Sequence, residues 1–222
     1  MHTRIPNILT VIRLIAAPMV GFVYVIMASP YADWIALSLF IGAALTDYLD
    51  GVLARRWNVV TQFGRMMDPI ADKAMVVIAL AVVGVLWNGF IWVMVPIIMI
   101  LFREVFVAGL REFLGSDAGR LQVTRLAKFK TAIQMLAITL LMATKLVEHY
   151  FIVAVYSMDQ TVYLQIKAGE VPDTAGLIWL EPLWVYGAWG AQIALWIAAV
   201  LTVLSGLDYF IKALPYLKDR AP

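Results

Sequence analysis

The sequence predicts an all-α, polytopic membrane protein of six transmembrane helices, with its functional site at the cytoplasmic ends of those helices. Three observations lead there. First, 63% of the 222 residues are hydrophobic and 14% are charged, whereas a soluble domain is about 45–50% apolar and about 25% charged. Second, the apolar residues gather into six stretches, near 8–28, 34–56, 68–87, 90–112, 129–150 and 184–211, each long enough for the roughly 20 residues that cross a bilayer as a helix. Third, of the 17 Lys and Arg residues only Lys145 and Lys167 fall outside what would be the inner segments, and an excess of basic residues marks the cytoplasmic side.

Each element follows from local signals. Arg4 ahead of an apolar run imitates a secretory leader, but Arg13 interrupts the run and no small-residue cleavage site follows. The first stretch is therefore expected to be a retained span behind a short interfacial segment. Ser29-Pro30 separates it from the second, and Asn88-Gly89 separates the third from the fourth; both are strong breakers. Pro69 suits the first position of a helix, so Asp68 is expected to cap the third span, with Gly64 in the tight return before it. Residues 151–183 are mixed, with Asp159, Glu170, Pro172, Asp173 and Gly176. They read as an extended external loop, in part a helical stretch lying on the membrane. No internal repeat or low-complexity tract is visible, and 1–222 is expected to form a single membrane domain with both termini cytoplasmic.

Composition also excludes. With no cysteine, the chain has no disulfide framework, no thiol nucleophile and no thiolate metal site. No nucleic-acid partner is expected. The eight Trp and eleven Met read as interfacial belt and lipid-facing filler.

The chemistry concentrates between residues 47 and 72. Asp47, Asp50, Gly51, Ala54 and Arg55 share one face of a helix at 100° per residue. Asp68 and Asp72 are i, i+4 neighbours on the next helix. A lone charge inside the membrane costs about 2.5–3.5 kcal/mol on insertion scales, and four like charges repel. Hard divalent cations, Mg²⁺ or Mn²⁺, remove both objections. Two such ions on paired carboxylates can clamp a diphosphate and stabilise attacking and leaving oxygens, which points to transfer at phosphorus. The competing reading is interfacial ion pairing of the Asp residues with Arg55, Arg56, Arg65 and Lys73; ion pairs, however, need no such register. Arg103 and Arg111 share a face of the fourth span. With Lys128 and Lys130 at the start of the fifth they are expected to bind an acceptor phosphate, against the simpler reading of a basic rim touching anionic lipid. Arg103 has a further competing expectation, an ion pair with Glu104. Asn7, Thr10 and Arg13 share a helical side, as a wall of the acceptor site or as interfacial anchors.

The pattern Asp47-x2-Asp50-Gly51-x2-Ala54-Arg55-x8-Gly64-x3-Asp68-x3-Asp72 resembles the signature of the CDP-alcohol phosphatidyltransferases, without departure. The resemblance implies six helices, a homodimer and two divalent ions held by Asp47, Asp50, Asp68 and Asp72. It implies that Asp72 is the general base on the acceptor hydroxyl and that Asp50, Gly51, Ala54 and Arg55 contact the cytidine diphosphate. Further stretches are similar to the branch of the family that makes phosphatidylglycerol phosphate in bacteria. They are Ile5-Pro6-Asn7-Ile8-Leu9-Thr10 through Arg13, Phe102-Arg103-Glu104, Gly109-Leu110-Arg111-Glu112, and Lys128-Phe129-Lys130-Thr131 with Gln134-Met135. A weak similarity returns at 202–210. Phe102, where a small residue is expected, and Ala127, where Gly is expected, depart from that branch.

The resemblance thus implies transfer of a phosphatidyl group from CDP-diacylglycerol to sn-glycerol 3-phosphate in the bacterial cytoplasmic membrane. Inositol phosphate, serine and phosphatidylglycerol are alternative acceptors. Two other classes fit less well. An intramembrane prenyltransferase also binds diphosphate through Asp-rich motifs, but on well-separated helices. An ion transporter would place its carboxylates near mid-membrane and show an inverted repeat.

Overall fold

A computed structural model describes residues 4–57, 62–115 and 125–217, with side chains described except at 4–6, 48–57, 65, 125–128 and 217. All regular structure among these residues is helical: α1 (Arg4–Ile26), α2 (Tyr31–Trp57), α3 (Gln62–Leu86), α4 (Ile91–Leu114), α5 (Arg125–Tyr156), α6 (Gln160–Ala168) and α7 (Leu177–Leu217). Among the described residues five stretches are long and apolar enough to cross a membrane: 7–26, 62–86, 91–114, 129–156 and 177–216. The chain is therefore a multi-pass membrane protein.

Small residues let the helices close on one another. Ala17, Ala36, Ala79, Ala137, Ala191, Ala198 and Ala199 are fully buried, and without bulky side chains at these points the backbones approach closely. Phe40, Met75, Leu80, Ile100, Ile138, Leu141 and Leu195 fill the space between them. The most extensive packing is α5 on α7, then α1 on α2 and α3, then α4 on α7. A second, smaller cluster of Val107, Leu114, Tyr209 and Ala213 joins α4 to the far end of α7. Large apolar side chains such as Val25, Phe102 and Trp179 point outward, the inverse of a soluble protein and the arrangement that lipid solvates.

The connections confirm some local readings and correct others. The α3–α4 turn runs through Asn88 and Gly89, both at positive φ (50° and 67°), as that dipeptide predicts. The third span begins earlier than expected, at Gln62, so Pro69 lies inside the helix and Asp68 is not its cap. A membrane helix tolerates an internal proline because neighbouring helices and local adjustments satisfy the freed backbone groups. Gly64 accordingly sits buried in the first turns of α3 and not in a return; the return itself, 58–61, lies outside the described residues.

The 151–183 segment is mostly helical, not an extended loop. α5 continues to Tyr156, α6 occupies Gln160–Ala168, and α7 starts at Leu177. Caps explain the breaks. Asp159 accepts the Thr161 N–H at 2.9 Å, and Gly169 ends α6 in the left-handed conformation. The Asp173 carboxylate accepts the N–H groups of Ile178 at 2.9 Å and Leu177 at 3.0 Å, opening α7. These backbone bonds hold both carboxyls below their ordinary range, through Thr161 for Asp159 and Ile178 for Asp173. Lys167 reaches Glu181 at 2.8 Å, tying α6 to α7, and this partner raises the lysine's affinity for its proton.

Candidate active site

At one end of the bundle three helices bring charge together. α1 presents Thr10 and Arg13, both 2% exposed. α2 presents Asp47, and α3 presents Asp68 and Asp72 one turn apart. Thr10 Oγ1 donates to Asp68 Oδ1 at 2.7 Å, and Arg13 Nη1 donates to both Asp47 Oδ1 and Asp72 Oδ1. Arg13 bridges Asp47 and Asp72 and Asp68 lies one turn before Asp72 on α3, so these three carboxylates share one neighbourhood. A buried guanidinium beside them meets the need that like charges create, a compensating cation.

Asp47 and Asp72 keep 44% and 47% of their side chains exposed, so the carboxylates are held from one side and open on the other. Among the described residues no group of three or more acidic or histidine side chains is gathered as a metal site. The donor chemistry nonetheless fits a hard cation: carboxylate oxygens, the ligands such ions take, on side chains that stay about half exposed. The expected fourth ligand, Asp50, and the expected contacts Gly51, Ala54 and Arg55 lie outside the residues described with side chains.

Beside the carboxylates lies a cavity of about 290 Å³. Pro69, Asp72 and Lys73 of α3, Arg103, Glu104 and Arg111 of α4, and Lys130 and Gln134 of α5 are among the residues that line it. Glu104 accepts from Lys130 Nζ at 2.6 Å and from Arg103 Nη1 at 2.8 Å. Arg103 Nη2 also donates to Ser205 Oγ on α7 at 3.2 Å. The Arg111 guanidinium stands 5.2 Å above the Tyr209 ring, a cation–π arrangement. Basic side chains outnumber acidic ones on the lining, so the cavity favours an anion.

The structure thus brings Arg103, Arg111 and Lys130 to one cavity; Lys128 lies outside the residues described with side chains. The Arg103–Glu104 pair is also present, so the two expectations for Arg103 are compatible. The sequence reading gave no site role to Lys73, Gln134, Ser205 or Tyr209. Gln134 follows Lys130 by one turn and Lys73 adjoins Asp72, so helical spacing could have found both; the α7 residues carry no local signal.

Residues 3–204 match the family described as CDP-alcohol phosphatidyltransferase. The chain belongs to that family. It is 50% identical over 221 residues, 99% of this chain and 100% of the relative, to the CDP-diacylglycerol–glycerol-3-phosphate 3-phosphatidyltransferase of Cereibacter sphaeroides. Proteins of the same description from Rickettsia bellii and Salmonella choleraesuis are each 34% identical, over 93% and 99% of this chain and 93% and 100% of their own lengths. As a CDP-alcohol phosphatidyltransferase, the chain carries its signature carboxylates on α2 and α3 and its anion-favouring cavity immediately beside them.

Proposed function

We propose that the protein transfers a phosphatidyl group from CDP-diacylglycerol to sn-glycerol 3-phosphate, giving phosphatidylglycerol phosphate and CMP. One observation carries the reading: Asp72 belongs both to the carboxylate group and to the lining of the basic cavity. A group that takes a proton from an acceptor must lie within hydrogen-bond reach of the acceptor hydroxyl, and that hydroxyl must stand beside the bound diphosphate.

In this mechanism Asp47, Asp50, Asp68 and Asp72 would hold two divalent ions, Mg²⁺ or Mn²⁺. When bound, these supply neutralising charge for the diphosphate and for the oxygens of the displacement. Asp50, Gly51, Ala54 and Arg55 contact the cytidine diphosphate. Arg103, Arg111, Lys128 and Lys130 hold the acceptor phosphate, which leaves the primary hydroxyl directed at Asp72. Asp72 takes the hydroxyl proton as the oxygen bonds to the lipid-bearing phosphorus. The bond from that phosphorus to the CMP oxygen breaks, and CMP leaves with the electron pair. Thr10 and Arg13 keep the carboxylates in register throughout.

The whole chain acts as one domain in the bacterial cytoplasmic membrane, as a homodimer, with both termini inside. α2 is the sixth span; its 27 residues reach about 40 Å at 1.5 Å each, enough for the hydrocarbon core. The distribution of basic residues supports this orientation, and the family resemblance supports the dimer.

The test is purified protein with labelled CDP-diacylglycerol and a panel of acceptors, scored for CMP release with Mg²⁺, with Mn²⁺ and in EDTA. Release with glycerol 3-phosphate alone, abolished by chelation and restored by either ion, is the expected result. Release with serine or inositol phosphate instead would reassign the acceptor, and full activity in EDTA would remove the ions from the mechanism.

A further inference from the structure

The inner end of α7 has no role in the reaction as derived above, yet it touches both arginines of the cavity. Gly206 is the point of closest approach. A Cβ added there would lie 2.8 Å from Arg103 Cγ, 3.4 Å from its Nε and 3.7 Å from its Cδ. The stem of Arg103 therefore lies flat against the α7 backbone, where only a glycine leaves room. Cγ is close to the root of the side chain, so a methyl group at 206 cannot be avoided by moving the guanidinium alone. Ser205, next in the chain, receives the hydrogen bond from Arg103 Nη2 at 3.2 Å. One turn on, Tyr209 is 6% exposed and sets its ring beneath the guanidinium of Arg111.

We propose that Gly206 is a positioning residue for acceptor binding: with Ser205 and Tyr209 it makes α7 a cradle that fixes the guanidiniums of Arg103 and Arg111 in the cavity. The inference rests on the reading of that cavity as the acceptor-phosphate site and deepens it. Arg103 has several rotatable bonds, and a guanidinium free to sample them binds a phosphate less well because ordering it costs entropy. The cradle removes that cost before the ligand arrives. It also fixes Glu104 between Arg103 and Lys130, so displacement of Arg103 leaves Lys130 as the donor retained by Glu104 and withdraws charge from the ligand.

The experiment is a double-mutant cycle on the purified enzyme, Gly206→Ala, Arg103→Ala and the pair, with KM measured separately for glycerol 3-phosphate and CDP-diacylglycerol. Coupled residues give non-additive effects. Each single variant is expected to raise the KM for glycerol 3-phosphate about tenfold, the usual scale for a lost charged hydrogen bond, with the KM for the CDP-lipid little changed. The pair is expected to match Arg103→Ala alone, since the side chain that the new methyl would meet is gone. Ser205→Ala shifts the same constant in the same direction by less.

If Gly206→Ala behaves as wild type, raises both KM values alike, or adds its effect to Arg103→Ala, the cradle is refuted and Gly206 serves helix packing. If Gly206→Ala cannot be recovered from the membrane, recovery of the pair supports the proposal and loss of both overturns it. Failure of the underlying reading looks different: Arg103→Ala would itself leave the KM for glycerol 3-phosphate unchanged.

Discussion

Replacing Arg13 with Gln removes the guanidinium that α1 sets between Asp47 and Asp72, and keeps most of its length. The guanidinium is 2% exposed and its partners 44% and 47%. A hydrogen bond to a charged group is worth about 1.5–3 kcal/mol, and an exposed ion pair about 0–1 kcal/mol. With both carboxylates half in solvent, the two pairs together fall between these limits, at about 2 kcal/mol. In a chain of this length 1 kcal/mol moves the melting temperature by about 2–4 °C, so Arg13→Gln should melt about 4–8 °C lower in EDTA. The eight tryptophans report the transition by intrinsic fluorescence in detergent. Saturating Mn²⁺ offers the same carboxylates a second cation and should close most of the gap. Arg13→Lys should lie between, because an ammonium supplies the charge without the planar fork. Equal melting in EDTA would show that the pairs contribute nothing. An equal deficit with and without Mn²⁺ would remove Asp47 and Asp72 from the ligand set.

Asp72→Asn keeps the shape of the base without its proton affinity, so kcat should fall by about 10²–10⁴ while the CDP-lipid still binds; near-normal turnover would exclude Asp72 as the base. Lys130→Gln should raise the KM for glycerol 3-phosphate about tenfold and spare that for the CDP-lipid; equal losses would favour a lipid-surface role. A cysteine at Gln160 should react with an impermeant thiol reagent in intact cells and one at Gln62 should not; the opposite pattern would invert the topology. The Asp173 cap should protect the α6–α7 connection from proteolysis at neutral pH. Because its carboxyl is held below the ordinary value of about 3.9, that protection is present above this pH and disappears only as pH falls below it. Asp173→Ala should be cleaved readily at pH 7, and unchanged cleavage would refute the cap.

What the sequence made legible is what lies close together along it. The carboxylate register from Asp47 to Asp72 is written on two consecutive helices, so helical periodicity groups its members on one side of each; that Asp47 and Asp72 meet is shown by their shared partner Arg13. The spans could be drawn because each needs a length of apolar residues set by the bilayer. Boundaries failed where a local signal had two uses. Pro69 opens a helix in water but sits within one in a membrane, so α3 began earlier than expected. Asp159 and Asp173 read as loop residues by composition, whereas each caps a helix. Partnerships between distant residues were out of reach: Arg13 meets Asp72 across 59 positions and Arg103 meets Ser205 across 102. The pairing of Thr10 with Asp68 likewise needs the packing of α1 on α3, which no spacing encodes.

The position of Arg13 has a meaning for biosynthesis as well. It is synthesised 34 residues before Asp47 and 59 before Asp72, so the compensating charge leaves the ribosome ahead of both carboxylates. A charge on an inserting helix costs at most about 2.5–3.5 kcal/mol, the figure for mid-membrane, and Asp47 and Asp72 follow in the chain a helix that carries their counter-charge. Deleting that helix would send Asp47 and Asp72 into lipid facing each other, and the defect would be seen in membrane integration before any assay of turnover could be run.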